Sequence, residues 1–163
     1  MHRVYISIGS NIEPARHVRL AVLALHEFYG ELIISRVYES ESVGFEGDNF
    51  YNLVVGLDTE QDVEQVNHTL HKIEDRYGRE RKGPRFSARS IDLDLLMYDE
   101  LVMQNGKLIL PREEILQNAF VLWPLAEIAP ELMHPIEQKT MATLWNGFDK
   151  NKQQLTPIAF EWY

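Results

Sequence analysis

The chain has 163 residues and a mass of 19.0 kDa, the size of one ordinary domain, and its 45% hydrophobic and 25% charged residues exclude a disordered, collagen-like or disulfide-dense protein. It has no cysteine, hence no thiolate metal site or thiol nucleophile, and no apolar run near the ~20 residues of a membrane-spanning helix, so a cytoplasmic single domain over 1–163 is expected. The net charge of −9 conceals a basic stretch from Lys72 to Arg89, where seven basic side chains meet three acidic ones; the remainder carries 9 basic against 22 acidic, which would repel nucleic acid and leaves a compact polyanion as the better partner.

Arg3 to Ile8 alternates apolar and polar residues and runs into Gly9-Ser10-Asn11, which predicts a strand and a turn. Pro14 suits a first helical turn, and Val18, Val22, Leu25 and Tyr29 recur at helical spacing before Gly30, which predicts a helix over 14–29. Leu32–Ser40 and Phe50–Asp58 read as adjacent antiparallel strands around a polar loop with Gly44 and Gly47. A second helix starts after Thr59-Glu60-Gln61-Asp62, buries Val63, Val66, Leu70, Ile73 and Tyr77, and stops at Gly78. Gly83-Pro84 and Ser87-Ala88 interrupt regular structure, and Ser90–Tyr98 returns to strand. The order β-α-β-β-α-β predicts an α+β fold: a ferredoxin-like core with an antiparallel-rich sheet and helices on one face. Leu101–Met103 and Lys107–Leu110 read as short strands extending the sheet, and Pro124–Leu132 and Thr140–Asn146 as late helices.

Within the last core strand, Asp92-Leu93-Asp94 places two carboxylates on one side, with Cα atoms about 6.5–7 Å apart, while Ile91, Leu93 and Leu95 face the core. An isolated pair of this kind is also what any half-buried strand shows to water. Here the basic stretch leads directly into it, and phosphate bridged by Mg²⁺ reconciles the two charges, since magnesium is commonly held by one or two carboxylates plus substrate phosphates. Lys72 and Arg76 are also explained by the helix C-terminus, but Arg79, Arg81, Lys82, Arg85 and Arg89 lie beyond it. Neither G-x-x-x-x-G-K-[ST] nor G-x-G-x-x-G occurs, so side chains must hold the phosphates. Phe50 and Asn52 share one strand face, where a ring and an amide can read a flat heterocycle; a core Phe beside a capping Asn is the plainer alternative. The six histidines form no zinc pattern, although His68 and His71 share a helix face.

In this order the segments resemble the 6-hydroxymethyl-7,8-dihydropterin pyrophosphokinase family: I-G-S-N at Ile8–Asn11, F-Y-N at Phe50–Asn52, I-E-x-x-x-G-R-x-R at Ile73–Arg81, A-R-S-I-D-L-D-L-L at Ala88–Leu96, and F-V-L-W-P-L-A-E-I-A-P-E-L at Phe120–Leu132. The resemblance implies transfer of pyrophosphate from ATP to a pterin alcohol in the folate pathway. It implies two Mg²⁺ ions on Asp92 and Asp94, assistance to transfer from Arg79 and Arg89, and a pterin ring between Phe50 and Phe120. Asn52 would read the edge of that ring, with backbone groups near Ser40 and Val43 adding hydrogen bonds. His71, Glu74, Arg81, Lys107 and Arg112 fall at ATP contacts, and Lys82–Arg89 falls on a loop that closes over the site, with Phe86 where a Trp is usual.

Several positions depart from that pattern: Ser40-Glu41 for Thr-Pro, His71 for Gln, Ser87-Ala88 for Gly-Pro, Lys107 for Arg, Arg112 for His and Asn118 for Arg. They concentrate on the nucleotide side, so a paralogue that binds a nucleotide or pterin without turnover, or with altered specificity, is the alternative function. A D-x-D sugar-nucleotide transferase fits less well, because the chain is short and lacks a nucleotide-binding α/β half. The expected partners are ATP and the pterin alcohol, with no nucleic acid or membrane, and the expected state is a monomer.

Overall fold

The computed structural model describes residues 1–41, 49–77 and 90–162. Strand β1 (His2–Ser10), helix α1 (Pro14–Tyr29), strands β2 (Ile33–Ile34), β3 (Val37–Ser40) and β4 (Phe50–Thr59), helix α2 (Val63–Arg76) and strand β5 (Asp92–Tyr98) follow in that order. The sheet places β1 between β5 and β4, and β4 between β1 and β3, with each neighbouring pair antiparallel. Strands β1 and β3, joined through α1, therefore run the same way around an inserted β4, and β4 and β5, joined through α2, run the same way around β1. These interlocked split βαβ units are the predicted ferredoxin-like core.

Alternation along the strands separates two cores. Val4, Ile6 and Ile8 of β1, Leu53, Val55 and Leu57 of β4, and Leu93 and Leu95 of β5 pack against Val18, Ala21 and Leu25 of α1 and Val66, Leu70 and Ile73 of α2. The intervening residues face the other way, and there the helices predicted on one face alone are joined by a second layer. The chain continues through β6 (Met103–Asn105) and β7 (Leu108–Leu110), which pair with each other as a separate hairpin rather than extending the main sheet, then short helix α3 (Glu114–Gln117), α4 (Ala119–Ile128), α5 (Met141–Asn146) and β8 (Leu155–Ile158). Tyr5, Val54, Leu96 and Met97 form the second core with Ile115, Val121, Leu122, Leu125 and Met141. Strand β8 closes the sheet beyond β3.

Local chemistry explains where the elements depart from expectation. Gly9 and Ser10 belong to β1 rather than to a turn, because Gly9 is paired on both sides, with Asn52 of β4 and Asp92 of β5. The expected single strand over Leu32–Ser40 breaks at Ser35, whose hydroxyl donates to the Arg36 carbonyl at 2.8 Å and accepts the Val54 N–H at 2.9 Å, replacing a ladder bond. Asp62 and Gln65 close a reciprocal capping box at the start of α2. Helix α4 begins five residues before Pro124, which lies inside it rather than in its first turn. Strand β8 went unforeseen because it contains Pro157, which an edge strand tolerates. Among the described residues no helix is long and apolar enough to cross a membrane.

Candidate active site

The face of the sheet that carries α4 becomes polar towards the end of β1, and the strand register decides what gathers there. Gly9 is flanked by Asp92 on one side and Asn52 on the other, and Ser7, one pleat away, by Asp94 and Val54. With strands ~4.8 Å apart, the Asp92 and Asn52 backbones stand about 10 Å from each other across Gly9. No side chain rises between them: a Cβ at Gly9 would lie 3.5 Å from Asn52 Oδ1 and 4.0 Å from the Phe50 ring. The Asn52 amide is oriented by donating from Nδ2 to Ser40 Oγ at 2.8 Å, which turns Oδ1 towards Gly9. Phe50, Asn52, Ser40 and Asp92 thus converge from three strands on one shallow floor.

Helix α4 forms the adjoining wall, with Phe120 in its first turn packed against the second core. What fixes α4 there is a partly exposed polar network built on the buried Tyr38. Glu127 accepts the Arg36 backbone N–H at 2.9 Å, the Arg36 Nε–H at 3.1 Å and the Tyr38 hydroxyl, while the Tyr38 ring lies 4.9 Å from Trp123. Burial, with the hydrogen bond to Glu127 adding to it, pushes the Tyr38 phenol well above its ordinary range, so it remains a neutral donor.

Behind β5 stands Glu74, only 2% exposed, whose Oε2 accepts the Leu93 N–H at 2.9 Å while Oε1 lies 3.3 Å from His71 Nδ1. Because β5 is the sheet edge, this carboxylate takes the place of a further strand and holds the peptide between Asp92 and Asp94. On the open side, Arg112, in the segment between β7 and α3, brings Nη2 to 3.4 Å from Asp94 Oδ1 and Nε against the Glu114 carboxylate. Lys107 is exposed in the β6–β7 turn.

Of the residues singled out from the sequence, Asp92, Asp94, Phe50, Asn52, Ser40, Phe120 and Arg112 line the α4 face of the sheet or its rim, whereas His71 and Glu74 lie on the α2 side of β5. Val43, Arg79, Arg81 and Arg89 lie outside the described residues, as does the Lys82–Arg89 loop. Gly9 and Glu127 fall within quoted motifs but were given no role, and Tyr38 and Glu114 carried no local signal, since each depends on a partner brought in by another element. Two carboxylates on one strand face suit magnesium, which keeps waters and takes phosphate oxygens for its other positions. Among the described residues no group of three or more histidine or acidic side chains converges.

Comparisons with known proteins give the chain's family and fold. A family model described as 7,8-dihydro-6-hydroxymethylpterin-pyrophosphokinase (HPPK) matches residues 5–130. The 2-amino-4-hydroxy-6-hydroxymethyldihydropteridine pyrophosphokinase of Aquifex aeolicus is 33% identical over 143 residues, covering 86% of this chain and 89% of that protein. The Porphyromonas gingivalis protein of the same description is 37% identical over 138 residues, covering 81% and 93%. A crystal structure of a Plasmodium falciparum HPPK-DHPS triple mutant superposes with a TM-score of 0.70 at 14% identity, over 89% of this chain and 43% of that one. This chain therefore spans less than half of that longer protein, and the likeness there is one of fold.

Proposed function

The chain belongs to the 7,8-dihydro-6-hydroxymethylpterin-pyrophosphokinase family and is a pyrophosphokinase of folate biosynthesis, and from that premise we propose how its residues perform the transfer of pyrophosphate from ATP to 6-hydroxymethyl-7,8-dihydropterin. The observation that carries the assignment is the row Asp92–Gly9–Asn52, which sets a carboxylate pair and a heterocycle-reading amide on one face with an open glycine between them.

The pterin lies over Gly9, its edge hydrogen-bonded by Asn52 Oδ1, its ring stacked between Phe50 and Phe120, and backbone groups near Ser40 and Val43 completing its contacts. That pose directs the hydroxymethyl group towards Asp92 and Asp94, so the attacking oxygen and the triphosphate meet along one strand row. Asp92 and Asp94 would hold two magnesium ions, which would supply charge neutralisation and alignment of the phosphate oxygens. Arg79 and Arg89 stabilise the charge that develops on the transferred group, and His71, Glu74, Arg81, Lys107 and Arg112 serve the nucleotide side, Glu74 by fixing the Leu93 peptide. The protein's own contribution is positioning: in-line approach of a bound alcohol to a bound phosphate removes most of the entropic barrier.

Incubation with ATP, Mg²⁺ and the pterin alcohol, with the nucleotide product separated by chromatography, tests this reading. AMP should form only when all three are present, and Asp92→Asn or Asp94→Asn should lower its formation by at least about 100-fold, as loss of one group stabilising transition-state charge does, with the fold retained. ADP as the sole product, or full turnover in both variants, would overturn it.

A further inference from the structure

The guanidinium of Arg112 lies between two carboxylates, with Nη2 3.4 Å from Asp94 Oδ1 and the Nε edge against Glu114, the first residue of α3. Its side chain is 29% exposed, and those of Asp94 and Glu114 are 34% and 36% exposed, so the cluster lies at the rim of the site rather than in open solvent. The loop does not depend on this pairing for its course: the Arg112 backbone N–H donates to the Leu96 carbonyl at 2.9 Å, and Ile115 behind it is fully buried. The side chain is thus an adjustable element on an anchored backbone, with one fork edge for each acid.

We infer that Arg112 is a resident counter-cation of the metal site, holding the Asp94 carboxylate while no nucleotide is bound and so making divalent-ion binding depend on the arrival of a triphosphate. The inference rests on the assignment of Asp92 and Asp94 as magnesium ligands made under Proposed function. A divalent ion about 2.1 Å from an Asp94 oxygen would lie roughly 5–6 Å from the guanidinium and compete with it for the same carboxylate. Even with water-like dielectric and physiological salt, a fixed positive charge at that range weakens binding of a doubly charged ion by about threefold to tenfold. A bound triphosphate reverses the balance, because its oxygens accept from the same fork in bidentate fashion and leave Asp94 to the ion.

The test is a calorimetric titration of Mn²⁺ into the whole protein, first without nucleotide and then with an ATP analogue whose α,β bridge cannot be cleaved. Without nucleotide, Arg112→Gln should bind Mn²⁺ about threefold to tenfold more tightly than the parent. Arg112→Lys, which keeps the charge, should stay within about twofold, the local repulsion being little altered. With the analogue present the order should invert, Arg112→Gln then being the weaker binder. Equal Mn²⁺ affinity of the parent and Arg112→Gln without nucleotide would overturn the inference. So would equal tightening by Arg112→Lys, which would assign the effect to lost packing, or the same gain with and without the analogue. Asp92→Asn separates the two claims: if it leaves Mn²⁺ binding intact, the metal assignment itself fails, whereas if it abolishes binding while Arg112→Gln matches the parent, the counter-cation role alone fails.

Discussion

At the scale of single residues, the position that organises the site is the one with no side chain. Gly9 is central in the row Asp92–Gly9–Asn52, and the ordinary van der Waals distances of 3.5 and 4.0 Å around a Cβ there show that the backbone could accept a larger residue. What a larger residue would remove is the floor on which a flat ring lies. Gly9→Ala is therefore expected to fold, with a midpoint of thermal unfolding close to that of the parent, and to bind the pterin alcohol at least about tenfold more weakly, a loss of ~1.4 kcal/mol. Calorimetry with the pterin decides it, and unchanged affinity would remove Gly9 from the site. Asp92, Asp94, Phe50 and Asn52 were legible as a set because a strand's period of two assigns faces without knowledge of the fold. The Arg112–Asp94 and Glu74–Leu93 contacts were not legible, because each joins residues from separate elements and no local pattern encodes them.

At the scale of elements, the D-L-D strand and the helix before it act as one unit. Strand β5 is an edge, and its Leu93 N–H is met by the buried Glu74 carboxylate from α2, so the helix that ends at the basic stretch also sets the height and angle of both aspartates. Glu74→Leu would leave that N–H buried without its acceptor, an expected cost of about 1–3 kcal/mol, whereas Glu74→Gln retains an oxygen at the same place and should cost less. Urea unfolding of the two variants measures the difference, and equal stabilities would show that the Leu93 contact carries no weight. The helices α1 and α2 were readable because their apolar stripes and their punctuation agreed: Pro14 sits at the start of α1 and Asp62 caps α2. Helix α4, expected over Pro124–Leu132, instead starts five residues earlier and ends four residues earlier, because the apolar residues before Pro124 carry the helix past the missing donor by packing on β4 and β3.

At the scale of the whole molecule, the C-terminal third converts an open sheet into a two-sided one, and its turns are tied by buried polar groups. His134, 2% exposed, receives the N–H groups of Ile136 and Glu137 at Nδ1, at 3.2 and 3.1 Å, and burial holds its imidazole below the ordinary histidine range. The unfolded chain then binds a proton near pH 6.5 that the folded protein takes up only at lower pH, so stability present above that value is lost as the pH falls through the folded value. His134→Asn keeps an oxygen acceptor and cannot titrate. Its urea-unfolding free energy should fall less between pH 7 and pH 5 than that of the parent; parallel losses would show that His134 does not contribute to the acid sensitivity.

The sequence by itself determined the βαββαβ order, the inward faces of the strands and helices, and the pairing of a carboxylate strand with a basic stretch, because each is written in local periodicity and spacing. Only the tertiary structure decided that β8 returns to β3, that α4 covers the face bearing Asn52, and that Arg112 reaches Asp94. Those outcomes depend on which surfaces are left to bury once the core sheet has formed, and on charges that meet only when separate elements are brought together, neither of which a short window of residues contains.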